Sequence, residues 1–278
     1  MGEWVSEVGP SFGFTVETTE HLYSGKSSFQ QIDVYQTSKC GRMLLLDGII
    51  QLTEYDEFAY QEMLAHLPLF AHPNPENVLV IGGGDGGMLR EIAKHDCVKN
   101  IDICEIDAQV IEVCKKFLPS LSCGFDDARV HLHVADGSVF VADKHSCYDV
   151  IIVDSTDPIG PGESLFNEAF YAKMKNALKP DGVIASQSES IFLHPQVIQR
   201  LMRINRKLFN QYNYALMLVP TYPTGTIGAS VVSAGRNVRK PARQPSAEMQ
   251  RKLRYYTPQI HEASFVLPKF AEDFLQEI

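Results

Sequence analysis

Acidic side chains stand in this sequence where apolar runs end, the places at which a chain sets groups that meet a ligand rather than the core. Glu105 closes Asn100–Glu105, Asp136 precedes Gly137 just past Val130–Val134, and Asp154 closes Tyr148–Asp154 with Asp157 three residues on. If those runs are strands of an open α/β sheet, their carboxyl ends face a ligand crevice. A carboxylate there accepts both hydroxyls of a ribose, the reading for Glu105, or the exocyclic amine of adenine, the reading for Asp136. Each has a plainer alternative: Asp107 reads as a helix cap, and Asp136-Gly137 as an ordinary turn.

A further aspartate, Asp85, sits inside Gly82-Gly-Gly-Asp-Gly-Gly87, which follows one apolar run and opens a helical one. The loop fits G-x-G-x-x-G, a pattern common to dehydrogenases and adenosyl-dependent transferases, and its glycines let a ligand approach the main chain. An aspartate would repel the pyrophosphate of a dinucleotide; it suits a cation. Asp154 and Asp157 then open a Pro/Gly-rich loop over residues 155–164 that could cover a pocket. Together with Asp85 they make an anionic well that is costly without a cationic ligand.

The elements that must position these groups are legible from periodicity. Strands are expected over Asn77–Gly82, Asn100–Glu105, Val130–Val134, Tyr148–Asp154 and Gly182–Gln187, with a late hairpin of Met217–Thr221 and Gly228–Ala234. Helices fall between them at Gly87–Lys94, Ala108–Phe117, Glu168–Leu178 and His194–Phe209. This alternation predicts an α/β fold, a Rossmann-like, mainly parallel sheet with helices on both faces. Ahead of it, Phe12–Val16, Gln31–Tyr35 and Arg42–Leu46, with the turn dipeptide Asp47-Gly48, predict a small antiparallel sheet, followed by a helix from about Asp56. Two prolines in His72-Pro-Asn-Pro75 mark the expected boundary, giving an N-terminal β unit plus linking helix over 1–72 and a catalytic unit over 73–278.

Composition excludes other classes. With 278 residues, 45% hydrophobic, the chain buries a sizeable core, and no apolar stretch approaches the length of a membrane span. A net charge of −9 disfavours nucleic acid and tolerates cationic ligands. The basic stretch Arg236–Arg254 has no interleaved aromatics and reads as a solvated Pro-containing loop. Six cysteines form no Cys-x-x-Cys pair and no metal-ligand spacing, so a reducing, cytoplasmic compartment and no metal are expected.

Five ordered motifs carry a family resemblance: Asp47-Gly-Ile-Ile-Gln51-Leu-Thr53-Glu-Tyr-Asp56-Glu57, the glycine loop with Asp85, Glu105-Ile-Asp107, Asp154-Ser-Thr-Asp157-Pro-Ile-Gly-Pro161, and Pro220-Thr-Tyr222-Pro. The chain resembles the spermidine synthase family over nearly its whole length, through His261–Pro268. The resemblance implies transfer of an aminopropyl group from decarboxylated S-adenosylmethionine, a co-substrate rather than a cofactor, to putrescine. It assigns the donor to Gln30, Gln51, Asp85, Glu105, Asp136, Gly137 and Pro161, with Asp85 on its terminal ammonium. It assigns the acceptor to Tyr60, Gln61, Asp154, Asp157, Tyr222 and Glu189, with Asp154 as proton acceptor and Glu189 toward the far ammonium. A homodimer is implied, with the N-terminal strands as contact.

Some positions depart from the family's commoner spelling: Tyr55 where arginine is frequent, Thr224 after Pro223, and the segment Ser186–Ser190. They leave cadaverine or spermidine open as acceptors. A diamine N-methyltransferase using ordinary S-adenosylmethionine is the nearest rival, and Asp85 argues against it by repelling that donor's carboxylate. A nicotinamide-dependent oxidoreductase would find no use for the aspartates.

Overall fold

Short β-prone runs at the front of the chain pair with their neighbours in order, as hairpins do. In the computed structural model, which describes residues 2–8, 13–155 and 165–276, β1 (Glu3–Val8), β2 (Gly13–Lys26), β3 (Gln31–Thr37), β4 (Arg42–Leu46) and β5 (Ile49–Thr53) form one antiparallel sheet. Asp47 and Gly48 join β4 to β5 with φ of 49° and 81°, the left-handed pair that a two-residue hairpin loop requires. β1 lies ahead of the runs that the sequence marks; it is an edge strand on which Trp4 and Val8 stay exposed.

α1 (Glu57–Ala71) leads into a second sheet. Its chain order is β6 (Asn77–Gly82), α2 (Gly87–Ala93), β7 (Asn100–Glu105), α3 (Ala108–Phe117), α4 (Pro119–Ser122), β8 (Val130–Val134), α5 (Gly137–Phe140) and β9 (Tyr148–Asp154). Then follow α6 (Glu168–Ala177), β10 (Leu178–Gln187), α7 (Pro195–Leu208), β11 (Gln211–Leu218), β12 (Thr226–Ser233) and three short helices, α8 (Ala247–Lys252), α9 (Pro258–Ala263) and α10 (Lys269–Gln276). The strands lie in the order β11-β12-β10-β9-β6-β7-β8. β6 to β10 run parallel, and β12 runs antiparallel between β10 and β11. The expected Rossmann-like α/β fold with its antiparallel N-terminal sheet is present.

Boundaries differ from the sequence expectation where tertiary packing extends a run. β10 begins at Leu178, and its ladder with β9 breaks between Leu178 and Val183, where Pro180-Asp-Gly182 intervenes. β11 starts at Gln211 rather than Met217 because Tyr214 and Ala215 are already buried, and it stops before Pro220.

Strand residues alternate between two cores. Val78, Val80, Val150, Ile152, Val183 and Ala185 face α1 and α2, while Leu79, Ile81, Ile151, Val153 and Ile184 face α6 and α7. The N-terminal sheet closes on α3 through Ile32, Val34, Leu44 and Leu46 against Val110, Val113 and Cys114.

α1 has no solvent face: 14 of its residues are buried, the pattern of a helix surrounded by protein. Several of its polar groups are therefore partnered from afar. Glu57 takes a two-pronged ion pair from Arg90 at 2.7 and 3.0 Å, and Glu62 accepts the main-chain N–H groups of Arg254, Tyr255 and Tyr256 at 2.8–2.9 Å. Arg243 donates to the carbonyls of Leu69 and His72 at the helix end. The proline pair expected as boundary follows this helix; by its packing, the helix itself goes with the seven-stranded sheet.

The order of strands reverses between β6 and β9, and the crevice beyond their carboxyl ends is where an open sheet takes its ligand. The two strand ends touch: Gly82 has φ of 81°, and a Cβ there would lie 2.1 Å from the carbonyl oxygen of Asp154. Gly82→Ala is expected to cost about 3 kcal/mol, from left-handed strain plus overpacking, in urea unfolding; a loss within ~0.5 kcal/mol would mean that the two strand ends have room to part.

Candidate active site

β6, β7, β8, β9 and β10 all end at one cavity, roofed by β4, β5 and the first turns of α1. Gln30, Gln51, Tyr60, Gln61, Asp85, Glu105, Asp136, Gly137, Asp154, Glu189 and Tyr222, named from the sequence, all line it. Asp157 and Pro161 lie outside the described residues. Asp107 is not in the wall: its carboxylate caps α3 through Gln109 N at 3.0 Å and accepts from Ser27 Oγ and Gln30 Nε2 at 2.6 and 3.1 Å, so the plainer reading of it holds.

Each carboxylate is set by its backbone. Asp85 Oδ1 accepts Gly87 N at 2.6 Å, a turn that the glycine loop permits, and Gln61 Nε2 at 3.1 Å. Glu105 Oε1 accepts Asp107 N at 2.8 Å. Asp136 both caps α5, through Ser138 N at 2.7 Å, and lines the cavity; one oxygen makes the turn and the other is left for a ligand. Asp154 Oδ1 accepts the Tyr60 hydroxyl at 2.6 Å, and a Cβ on Gly83 would stand 3.3 Å from its Oδ2. That close approach is one function of the glycine loop.

No lysine or arginine is among the described residues that line the cavity, so the acids repel one another there, with only Asp85 eased by the charge of Arg90 behind the wall. Burial first, then the charges of Asp85 and Glu105, pushes Asp154 up to about 8, although the Tyr60 hydrogen bond works the other way. Glu105 is pushed up to about 7, again chiefly by burial, against the opposing N–H of Asp107. Asp85 is raised by burial and by the charge of Glu57, while its Gly87 hydrogen bond lowers it. Tyr60 is raised by burial and by Asp154 beside it, so its phenol keeps its proton and donates.

Beyond Asp154 the cavity holds groups that sequence reasoning did not single out. Glu7 of β1, Gln187 at the end of β10, and His194 are in the wall. Glu7 is tied to Ile50 N at 2.8 Å, and His194 Nδ1 to Glu189 Oε2 at 2.7 Å. Gln187 carries a readable signal, since it closes a strand as Glu105 and Asp154 do. Glu7 carries none, because its place depends on a side-chain contact between the two opposite edge strands of the sheet. Among the described residues, Gln61 Oε1, Gln187 Oε1 and Glu189 Oε1 are buried acceptors with no hydrogen-bond partner. Buried acceptors without donors are costly, and all three point to a ligand rich in N–H groups. Glu189 also holds a left-handed φ of 61°, a conformation that non-glycine residues seldom adopt.

The arrangement can bind a nucleoside at Glu105 and Asp136, a cationic group at Asp85, and an amine at Asp154, with Tyr60 and Tyr222 flanking it. Known proteins resemble the chain in sequence and fold. Residues 57–241 match the spermine/spermidine synthase domain and residues 3–54 the spermidine synthase tetramerisation domain. A spermidine synthase of Dictyostelium discoideum is 45% identical over 96% of this chain and 94% of its own. A spermine synthase of Saccharomyces cerevisiae is also 45% identical, over 99% and 96%. A crystal structure of a spermidine synthase in complex with the transition state analogue AdoDATO superposes with a TM-score of 0.95 at 40% identity, covering 99% of this chain and 96% of that one. With its fold, its acidic strand ends and these matches along its length, the chain belongs to the spermine/spermidine synthase family.

Proposed function

We propose that the protein is a spermidine synthase, moving the aminopropyl group of decarboxylated S-adenosylmethionine to putrescine and releasing methylthioadenosine. The observation that carries this is Asp85 and Asp154 side by side in a cavity without lysine or arginine among its described lining residues. Asp85 receives the donor's terminal ammonium, Glu105 the ribose hydroxyls, Asp136 and Gly137 the adenine, and Gln30 and Gln51 the nucleoside flank. Tyr60, Gln61 and Tyr222 surround the attacking amine and Glu189 and Glu7 face its far ammonium; Asp157 for the amine and Pro161 for the adenine remain roles that the family resemblance implies.

In the reaction, the acceptor nitrogen attacks the methylene bonded to the sulfonium, the C–S bond breaks, and its electron pair neutralises the sulfur. The leaving group needs no acid. The amine, however, arrives protonated, with a pKa of about 10. Passing that proton to an ordinary aspartate would be uphill by about 8 kcal/mol, whereas a carboxylate raised as Asp154 is leaves about 3 kcal/mol. Tyr60, donating to one Asp154 oxygen, leaves the other for the amine.

A longer acceptor, spermidine, is a second reading. Gln187 Oε1 and Glu189 Oε1 stand as unfilled acceptors past Asp154, and the relatives include a spermine synthase of equal identity. Incubation with decarboxylated or ordinary S-adenosylmethionine and each of putrescine, cadaverine and spermidine tests both. Methylthioadenosine is expected only with the decarboxylated donor, fastest with putrescine; release with the ordinary donor alone would overturn the assignment. The match to a tetramerisation domain supports a homo-oligomer, from a dimer upward. No described helix is long and apolar enough to cross a membrane, and all six cysteines are unbonded, which supports a reducing compartment such as the cytoplasm.

A further inference from the structure

Asp56 stands immediately before the first turn of α1, yet its side chain makes no capping bond there. Its carboxylate, only 3% exposed, crosses instead to the loop between β11 and β12. Oδ2 accepts Thr221 N at 2.7 Å, and Oδ1 accepts Thr221 Oγ1 and Thr53 Oγ1, both at 2.8 Å. The two threonine hydroxyls lie 3.4 Å apart. A carboxylate that leaves a helix start uncapped and stays buried beside two hydroxyls and an amide serves something other than local stability.

What it holds is the residue before Tyr222. Tyr222 stands in the cavity wall with its ring 5.9 Å from that of Tyr60, and its hydroxyl reaches Gln51 O at 2.6 Å. The loop is thus tied at two successive residues to one short stretch, Gln51 to Asp56. Its own backbone bonds are internal, Tyr222 N to Val219 O and Gly225 N to Tyr222 O, and Thr224 sits at a left-handed φ of 69°. A loop carrying such a residue keeps its shape only where its surroundings over-determine it.

We infer that Asp56 is a positioning residue of the transfer reaction: by gripping both the N–H and the hydroxyl of Thr221, it fixes Tyr222 opposite Tyr60 and so sets how tightly the acceptor is held. The inference rests on the proposed aminopropyl transfer. Asp56 touches neither substrate; it acts through Thr221.

Two variants test it. Asp56→Asn keeps the shape but replaces one acceptor oxygen by a donor, and Thr221→Val removes one hydroxyl and leaves its N–H in place. Acceptor KM is expected to rise about tenfold in the first and about threefold in the second, as for the loss of hydrogen bonds to a charged group, with donor KM within about twofold of the original. Hydrogen exchange of the amides over residues 219–225 is expected to quicken in the same order. An unchanged acceptor KM, or donor and acceptor KM rising together, would overturn the inference and leave the activity standing; should Asp56→Asn fail to fold, Thr221→Val decides. If the unmodified enzyme released no methylthioadenosine with any amine, the proposed function would fall, and exchange over 219–225 would still decide whether Asp56 holds the loop.

Discussion

Asp154→Asn is expected to lower kcat by about 10²- to 10⁴-fold, the usual worth of a positioned general base, and at the same time to make the protein more stable above neutral pH. Both follow from one fact: the folded chain holds this carboxyl at about 8. In the unmodified enzyme, kcat/KM climbs as pH rises through about 8, because only the ionised form accepts the proton. The asparagine variant loses that limb and keeps the one set by the amine. The stability effect has the opposite sign. Between the ordinary aspartate value near 4 and about 8, the folded state keeps a proton that the unfolded state has given up, so stability falls with rising pH across that window. Asparagine has no proton to lose. The variant is therefore expected to gain a few kcal/mol over the unmodified chain at pH 9, with ~6 kcal/mol as the ceiling that the shift sets, and nothing at pH 4. Urea unfolding at those two values measures it. Full kcat in the variant would remove Asp154 from the chemistry, and equal stability at pH 9 would mean that its carboxylate is comfortably solvated.

The same carboxylates explain why so much of the site was legible in the sequence. Strand ends are local features: an apolar run and the acid that terminates it fix both the strand and the side chain's place at the rim, so Glu105, Asp136 and Asp154 could be set at one edge before any contact was known. Asp85 was readable because a carboxylate is out of place in a loop built for phosphate. What depends on distant partners was not readable. α1 looks like a linking helix with a few apolar positions, yet it is enclosed on all sides because Arg90, Arg243 and the 254–256 turn come back to satisfy its polar groups. Asp56 stands where that helix is expected to begin, and turns away to a threonine 165 residues later. Glu7 is tied to the cavity by its bond to Ile50 N on the opposite edge strand, and short edge strands carry little pattern of their own.

Asp85→Asn should separate the two donors. In the proposed complex, the donor's terminal ammonium meets Asp85 inside the protein. Removing one partner of such a pair costs about 3–5 kcal/mol, so affinity for decarboxylated S-adenosylmethionine is expected to fall by about 10²-fold or more, read directly by calorimetry. Ordinary S-adenosylmethionine carries that ammonium and a carboxylate on the same carbon, so its binding loses an attraction and a repulsion together; its affinity should hold within about tenfold. The ratio between the two donors would then shrink by about 10²-fold. The pH response gives a second readout. Asp85 is raised by burial, so in the unmodified enzyme donor affinity weakens as pH falls through a value above the ordinary aspartate range, whereas the asparagine variant shows no such weakening. Gly87 and Gln61 would still hold the asparagine oxygen in place, since both donate to Oδ1, which keeps the loop's shape and makes charge the variable under test. If the variant discriminated between the donors as sharply as the unmodified enzyme does, selection would have to come from the shape of the cavity, and the glycine loop's aspartate would be only the turn former that its hydrogen bond to Gly87 makes it.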